Sequence, residues 1–208
     1  MPRPQRVERD SVFLNIPYDT RFGPLYLAYI SGLVQLGLTP QATLAIPGGT
    51  ARLDRIIELI RKCRYSIHDL SRVQLNRTPP ATPRFNMPFE LGLALSWATT
   101  HPARHTWFVF ETVTNRAQKS ISDLNGADFN IHDGTAEGVM RELRNAFVRS
   151  GDRPDVSQMA DGYRDLQSRV PALRRQTGAK SLFESSVFAE LITLAASLRD
   201  KQAKTRAR

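Results

Sequence analysis

The segment Arg52-Leu-Asp-Arg-Ile-Ile-Glu-Leu-Ile-Arg-Lys-Cys-Arg64 continues directly into Tyr65-Ser-Ile-His-Asp-Leu70. Its first part has apolar residues at helical spacing on one side and charged residues on the other, which predicts an amphipathic helix over 52–64. The inward side consists of Leu53, Ile56, Ile57 and Ile60, and the outward side of Arg55, Glu58, Arg61 and Lys62. Residues 65–70 predict a strand. A helix that leads straight into a strand indicates an α/β unit.

The same alternation extends along the chain in both directions. Further strands are predicted over 12–16, 41–46, 106–110 and 129–132, and further helices over 24–36, around Glu90 and over 136–149. Strands that alternate with helices favour a parallel sheet, because each crossover returns the chain to the same edge. We therefore expect residues 1–150 to form an α/β domain with a five-stranded parallel sheet and helices on both faces.

Residues 151–208 are expected to form a C-terminal helical appendage after a linker at Gly151-Asp-Arg-Pro154. Helices are predicted over 156–176, interrupted or kinked at Pro171, and over 182–203. The second helix has a wide apolar face, which must pack on the sheet domain or on another subunit. This face favours a homo-oligomer.

The 208-residue chain is basic, with a net charge of +9 from 29 Lys and Arg against 20 Asp and Glu. Part of the excess lies at the two ends, in Arg3, Arg6, Arg199, Lys201, Lys204, Arg206 and Arg208. These ends are either solvated tails or a surface that attracts nucleic acid or another polyanion. The sequence contains no zinc-finger, RRM or KH pattern that would indicate sequence-specific binding to nucleic acid.

The sequence predicts neither secretion nor membrane insertion. Its N-terminus is polar, and no apolar run approaches the roughly 18 residues of a membrane span. The single cysteine, Cys63, excludes an internal disulfide, argues against a cysteine-based metal site and suits a reducing compartment. His101 and His132 show no metal-ligand spacing. We therefore expect a cytoplasmic protein without a metal site.

The most informative stretch for function is Arg84-Phe-Asn-Met-Pro-Phe-Glu-Leu-Gly-Leu-Ala-Leu-Ser-Trp-Ala98. Pro88 just inside a helix start and Glu90 in its first turn are typical of a helix N-terminus. Nearly every side of the helix is apolar, which predicts that it is largely buried. Glu90 is therefore either a partner for the helix dipole or a working carboxylate, and the sequence leaves both open.

A second carboxylate, Asp69, ends the strand that precedes the Glu90 helix. In a parallel α/β sheet the ligand binds at the carboxyl ends of the strands, so both residues are expected at one edge. Two carboxylates beside a sugar can divide the roles of nucleophile and acid or base. The alternative role for Asp69 is to cap its turn together with Ser71. The hypothesis of sugar chemistry depends on Asp69 and Glu90 meeting at that edge.

Phosphate contacts are predicted at the same edge. Backbone N–H groups of the loop Pro47-Gly-Gly-Thr50 are suited to hold a phosphate. Arg52, Arg72 and Arg84 are candidate phosphate partners, although each is alternatively an ordinary surface arginine. His68 alternates with Asp69 along its strand and is expected to be a buried structural histidine.

Four segments stand out in combination: Val12-Phe-Leu-Asn-Ile-Pro-Tyr-Asp19, Arg52-Leu-Asp-Arg-Ile-Ile-Glu-Leu-Ile60, Tyr65-Ser-Ile-His-Asp-Leu-Ser71 and Phe85-Asn-Met-Pro-Phe-Glu-Leu-Gly-Leu-Ala94. In this order they resemble the bacterial TIR-like and nucleoside 2-deoxyribosyltransferase-like superfamily, over about residues 11–150. The resemblance implies a flavodoxin-like fold and chemistry at the glycosidic bond of a nucleoside, a nucleotide or NAD. It implies no bound cofactor, and it suggests a role in bacterial defence or stress signalling.

The resemblance also implies residue roles. Glu90 would attack or stabilise the anomeric carbon, and Asp69 would hold the ribose or assist protonation of the base. Asn86 would orient Glu90 or a sugar hydroxyl, and Tyr18 and Asp19 would contact the ligand. Further substrate contacts are expected from Ser71, Arg72 and Arg84.

One departure from the family pattern bears on the activity. Deoxyribosyltransferases commonly have an Asp six residues before the motif Glu, where this chain has Arg84. An arginine weakens the case for base exchange and favours a phosphorylated substrate or a sensor. Three hypotheses follow: an N-glycosidase that uses Glu90, a nucleotide sensor that signals through its helical tail, and a nucleic-acid or protein scaffold that uses the basic ends.

Overall fold

A computed structural model describes residues 7–45, 51–74, 79–148 and 153–206. The strands are β1 (Glu8–Asn15), β2 (Thr39–Gln41), β3 (Cys63–Asp69), β4 (Thr106–Glu111) and β5 (Asn130–Ile131). The helices are α1 (Gly23–Gln35), α2 (Arg52–Lys62), α3 (Asn86–Thr100), α4 (Arg116–Ser120), α5 (Ala136–Ala146), α6 (Val156–Thr177) and α7 (Ser185–Arg206). The described strands form one parallel sheet in the order β2-β1-β3-β4-β5, which confirms the predicted flavodoxin-like α/β fold.

Alternate residues of the strands enter two separate apolar layers. Val12, Leu14 and Ile67 face the layer formed with α1 and α5, which we call the α1 side of the sheet. Phe13 and Val109 face the layers formed with α2 and α3, the α3 side. Both sides of the sheet are therefore covered, as the near-continuous apolar runs of parallel strands require.

The second strand differs from its prediction over 41–46. The structure has β2 at Thr39–Gln41, followed by a short 3-10 turn at Thr43–Ala45, and residue 46 lies outside the described part. β2 pairs only with β1, so it is an edge strand, where Pro40 does not need to donate a hydrogen bond to a second neighbour. The apolar pattern was misleading because Ala42 is buried after the strand has ended.

The two C-terminal helices pack on α1. Their buried residues, among them Leu166, Phe188 and Leu191, belong to the same apolar cluster as Tyr26 of α1 and the α1 side of the sheet. The second predicted helix begins a few residues later than expected, at Ser185, and α6 continues without interruption through Pro171. The apolar face of α7 is thus covered within the chain, which removes the observation that motivated the predicted homo-oligomer. The domain boundary at residue 150 stays a prediction.

No helix of the described residues is both long enough and apolar enough to cross a bilayer.

Candidate functional site

The carboxyl ends of β1, β3 and β4 and the N-terminal ends of α2 and α3 lie at one edge of the sheet, here called the carboxyl edge. This follows from the parallel topology, because each helix begins where the preceding strand ends. The predicted phosphate loop, residues 47–50, lies outside the described residues, as do residues 75–78. The described side chains at this edge include three groups centred on Glu90, Asp19 and Asp69. A fourth group is the buried Glu111 at the end of β4, whose Oε2 accepts Nε of Arg116 at 3.0 Å.

Glu90 lies two residues further into α3 than predicted, in its second turn. The helix begins at Asn86, and the N–H of Phe89 already bonds the Phe85 carbonyl at 2.9 Å, so Pro88 is the third helical residue and Glu90 belongs to the second turn. The prediction of a first-turn acid was wrong because the helix starts before its proline. The predicted general burial of α3 is also incorrect, since only its sheet-facing side is covered and Phe89 is 57% exposed.

The Glu90 group combines a buried acid with one cation and one phenol. Glu90 is only 4% exposed, and its Oε1 lies 3.4 Å from Nη2 of Arg52 at the start of α2. Burial raises the pKa of Glu90, and the charge and hydrogen bond of Arg52 offset part of that rise. The Arg52 side chain is 51% exposed, so the ion pair is open to solvent on the arginine side.

Tyr18 belongs to the same group. Burial raises its pKa far above the ordinary value and the negative charge of Glu90 adds to the rise, while a hydrogen bond with Thr43 opposes it. The phenol therefore stays protonated, and it donates to the Leu14 carbonyl at 3.4 Å. The structure thus brings Tyr18, Arg52 and Glu90 together. Tyr18 and Glu90 were predicted as ligand-binding and catalytic residues, whereas Arg52 was predicted as a phosphate partner and instead pairs with Glu90.

The second group joins Asp19, Arg72 and Arg84. Asp19 Oδ2 lies 2.8 Å from Nη1 of Arg84 and 3.4 Å from Nε of Arg72, and its Oδ1 accepts the N–H of Phe22 at 3.1 Å. Burial raises the pKa of Asp19, but the Arg84 hydrogen bond and the two guanidinium charges lower it by more. The group carries a net charge of +1 near the surface, and this arrangement suits an anionic ligand.

Asp69 is enclosed in a third, buried group on the α1 side of the sheet. Its Oδ2 accepts the Tyr29 hydroxyl of α1 at 2.7 Å, and its Oδ1 accepts the N–H of Ser71 at 2.8 Å. His132 Nδ1 accepts the N–H of Gly134, so Nε2 carries the proton and faces Asp69 Oδ2 at 3.3 Å with poor alignment. Asp69 has no exposed surface. The capping role considered for Asp69 and Ser71 is therefore what the hydrogen bonds show.

The two carboxylates do not meet. Asp69 is held on the α1 side of the sheet by Tyr29, whereas Glu90 belongs to α3, which covers the opposite side. They have no bonding partner in common among the described residues. The premise of a carboxylate pair is therefore contradicted, because the alternation of side chains along β3 directs position 69 away from α3.

The remaining predicted residues lie apart from these contacts. Asn86 is exposed in the first turn of α3, and Ser71 is buried with an Oγ that lacks a protein partner. His68 is buried, as predicted. Among the described residues, no group of three His, Cys, Asp or Glu side chains is arranged as a metal site.

Sequence reasoning missed a buried chain of hydrogen bonds on the α3 side of the sheet. His105 Nδ1 lies 2.9 Å from the Cys63 carbonyl, and Ser66 Oγ lies 2.9 Å from both His105 Nε2 and His68 Nε2. Asn15 Nδ2 lies 2.8 Å from His68 Nδ1. Since a carbonyl only accepts, His105 carries its proton on Nδ1, Ser66 donates to His105, and His68 donates to Ser66. Both histidines are therefore neutral.

This chain of hydrogen bonds fixes the start of α3. Asn15 Nδ2 also donates to the Met87 carbonyl at 3.1 Å, which ties the first turn of α3 to the end of β1. Glu90 follows on the next turn, so Asn15 and His68 position the helix that carries it. The available signal was that Asn15 is a polar residue at the end of an apolar strand run. Its Oδ1 is buried without a protein partner.

The neutral state of His68 makes the fold sensitive to acid. Burial, and then the nearby His105, lower the pKa of His68 from 6.5 to about 3. Between these values the unfolded chain binds a proton that the folded chain does not, so the free energy of unfolding falls as the pH drops. The expected slope from this residue is about 1.4 kcal/mol per pH unit. Urea unfolding between pH 7.5 and 4.5 measures it.

The control is a His68→Gln variant, with each protein referred to its own stability at pH 7.5. We expect the unfolding free energy of the variant to depend less steeply on pH, because the proton bound by His68 on unfolding no longer contributes. This expectation does not depend on the absolute stability of the variant. Equal slopes in the two proteins would show that His68 is not the group that titrates.

Comparison with protein-family models and with curated protein sequences gives no match to this chain. The resemblance to the TIR-like and nucleoside 2-deoxyribosyltransferase-like superfamily therefore stays a prediction that rests on the four quoted segments.

Proposed function

We propose that this protein binds a nucleotide, a nucleoside or NAD at the carboxyl edge and cleaves its N-glycosidic bond, with Glu90 as the catalytic carboxylate. The observation that carries the proposal is the environment of Glu90. It is a buried acid with a raised pKa, paired at 3.4 Å with a half-exposed arginine at the edge where this fold binds ligands.

The chemistry needs an anion beside the anomeric carbon. As the bond from C1′ to the base nitrogen lengthens, its electron pair leaves with the base and positive charge develops on C1′ and the ring oxygen. An ionised Glu90 would stabilise that charge or attack C1′, and water would complete hydrolysis to the free sugar and the free base. Arg52 favours the ionised form of Glu90, and the Tyr18 oxygen, whose proton is donated to the Leu14 carbonyl, would accept a hydrogen bond from a sugar hydroxyl.

The isolation of Asp69 removes the two-carboxylate mechanism on which the sequence-based hypothesis depended, so the proposal rests on Glu90 alone and favours a substrate that needs no second acid. Among the described residues of the edge, Asp69 is bonded to Tyr29 and Ser71, and Asp19 and Glu111 are each paired with arginine. None of these carboxylates is therefore assigned as an acid for the leaving base. A pyridinium base needs no such acid, because nicotinamide leaves NAD as a neutral molecule once it takes the bonding electrons. NAD or a related nicotinamide nucleotide is therefore the favoured substrate class.

Arg72 and Arg84 would hold the phosphates. We expect Arg84→Gln to raise the KM for a phosphorylated substrate about 10- to 100-fold with a smaller change in kcat, because a charge-assisted contact is lost from binding. The control is Arg164→Gln on the exposed side of α6, which removes the same charge far from the carboxyl edge. An equal KM for the two variants would exclude Arg84 from phosphate binding.

A nucleotide-sensing module is the second candidate. The observation that favours it is the same saturation of Asp69, which leaves one carboxylate where a pair was predicted. In a sensor the two arginines would still bind phosphate, while Glu90 and Arg52 would form a structural ion pair. The signal would pass through α6 and α7, which pack directly on α1.

The scaffold hypothesis stays a prediction. Of the basic residues that motivated it, Arg3, Arg6 and Arg208 lie outside the described residues. Arg199, by contrast, donates to the Val34 carbonyl at 3.2 Å and pairs with Asp200.

The test uses the purified full chain with NAD and a panel of nucleosides and nucleotides, and chromatography measures the free base. The proposal expects release of nicotinamide. Nucleotide binding without release, at every protein concentration tried, would favour the sensor. Retention on DNA or RNA with a steep salt dependence, without nucleotide binding or release, would favour the scaffold.

A further inference from the structure

Helix α3 has an outer face that is apolar or small along its whole length. This outer face consists of Phe85, Phe89, Gly92, Ser96 and Thr99, which recur at helical spacing on the side away from the sheet and are all exposed. Phe85 is 68% exposed and Phe89 57%, which makes them the two most exposed aromatic side chains among the large hydrophobic residues of the described chain. Exposed aromatic residues that adjoin one another are characteristic of an interaction surface.

The outer face carries no charge in a strongly basic protein. Between Arg84 and Arg104, Glu90 is the one Asp, Glu, Lys or Arg residue, and it is buried. With a net charge of +9, two copies of the chain repel each other over most possible contacts. The five residues of the outer face can therefore meet those of a second copy without opposing like charges, while Arg61 and Arg104 lie to one side, against Trp97.

Neither the backbone conformation nor the packing of the described residues requires a glycine at position 92. A glycine inside a helix is destabilising relative to alanine, and here an added Cβ would meet no atom within 4 Å. Its backbone φ lies outside the left-handed region, so the helix does not require glycine for conformational reasons. A bare backbone at the centre of an exposed face is what a second helix needs for close approach.

The side chains on the outer face are also self-complementary. If two α3 helices cross antiparallel on a twofold axis near Gly92, Phe89 of each copy lies opposite Ser96 of the other, and Phe85 lies opposite Thr99. Each large ring is then opposed by a small side chain, as a symmetric interface requires. A groove of about 230 Å³ between α2 and α3 lies beside this face, and its lining combines apolar side chains such as Leu93 and Trp97 with Arg61 and His101.

We propose that the outer face of α3 is the contact between two copies of this chain in a symmetric dimer. In this proposal the two copies meet through α3. They do not meet through the C-terminal helices, whose apolar faces are covered by α1. It would also place the partner copy beside the first turns of α3, close to Glu90.

Sedimentation velocity on the full chain, without substrate, tests the proposal independently of any activity. We expect the wild type to be a dimer at micromolar concentration. Gly92→Glu should raise the dimer dissociation constant at least 100-fold, because it places two buried negative charges against each other at the axis. The variant should fold normally, since the new side chain meets open space and glutamate favours a helix.

Two further variants make the outcome decisive. Ser197→Glu introduces the same charge on the exposed side of α7 and should leave the dimer unchanged. Gly92→Cys should give a disulfide-linked dimer on mild oxidation, because Cys63 is buried and does not compete. A monomeric wild type at 100-fold higher concentration, a Gly92→Glu variant that stays dimeric, or dissociation by Ser197→Glu alone would each overturn the proposal.

Discussion

Replacing Glu90 with Gln is expected to lower the rate of base release by about a thousandfold, while the affinity for the nucleotide changes little. Gln has the same shape as Glu but no charge, so it would not stabilise positive charge at the anomeric carbon. Because the Glu90 pKa is already raised by burial, removal of the charge should not destabilise the fold. Single-turnover release of nicotinamide from NAD is the appropriate measurement, with binding followed separately by calorimetry.

Asp54→Asn is a suitable control for this variant. Asp54 is an exposed acid in the first turn of α2, so its replacement makes the same charge change near the carboxyl edge without altering the buried site. We expect full activity in this control. A Glu90→Gln protein that releases base at the wild-type rate would remove Glu90 from catalysis and leave the ion pair with Arg52 as its function.

Asp69→Asn is expected to destabilise the fold by about 2–4 kcal/mol. The carboxylate accepts the Tyr29 hydroxyl and the Ser71 N–H, and the amide of Asn turns one of these acceptors into a donor. Burial, followed by the charge of Asp69, raises the pKa of Tyr29, so its hydroxyl remains a donor at all ordinary pH values. The free energy of unfolding in urea measures the loss.

The control and a double mutant separate a structural role from a catalytic one. Asp123→Asn, at an exposed turn, should change stability by less than about 0.5 kcal/mol. Tyr29→Phe combined with Asp69→Asn should cost less than the sum of the two single changes, because both remove the same hydrogen bond. If Asp69→Asn instead kept its stability and lost activity, Asp69 would be a ligand contact and the family-derived role would stand.

The alternation of elements was predictable because its causes are local. The periodicity of α2 is visible in a few consecutive residues, and Ile56 and Ile60 are buried as predicted, although Leu53 is exposed and Leu59 is buried in its place. The apolar run of β3 is visible in the same way. The boundary of β2 was not predictable in the same way, since Ala42 is buried by tertiary packing after the strand has ended. Likewise, the apolar composition of α3 did not reveal which of its sides would be covered.

In the candidate site, too, the sequence identified residue types, whereas tertiary packing decided which residues contact one another. The sequence identified Tyr18, Asp19, Arg84 and Glu90, and the structure groups Tyr18 with Glu90 and Asp19 with Arg84. It did not reveal that position 69 faces α1, because the partner Tyr29 is distant in the chain. The hydrogen bond from Asn15 to Met87 also joins residues far apart in sequence.

The sequence alone determined the order of strands and helices, the parallel sheet and the edge at which Glu90 would lie, because hydrophobic periodicity and chain direction are local properties. Only the tertiary structure decided that Glu90 pairs with the half-exposed Arg52, whereas Asp69 is enclosed by Tyr29 and Ser71. It also decided which face of α3 stays exposed. These outcomes depend on the packing of α1 and α5 against one side of the sheet, with α6 and α7 packed on α1, and of α2 and α3 against the other side. No single segment contains that information.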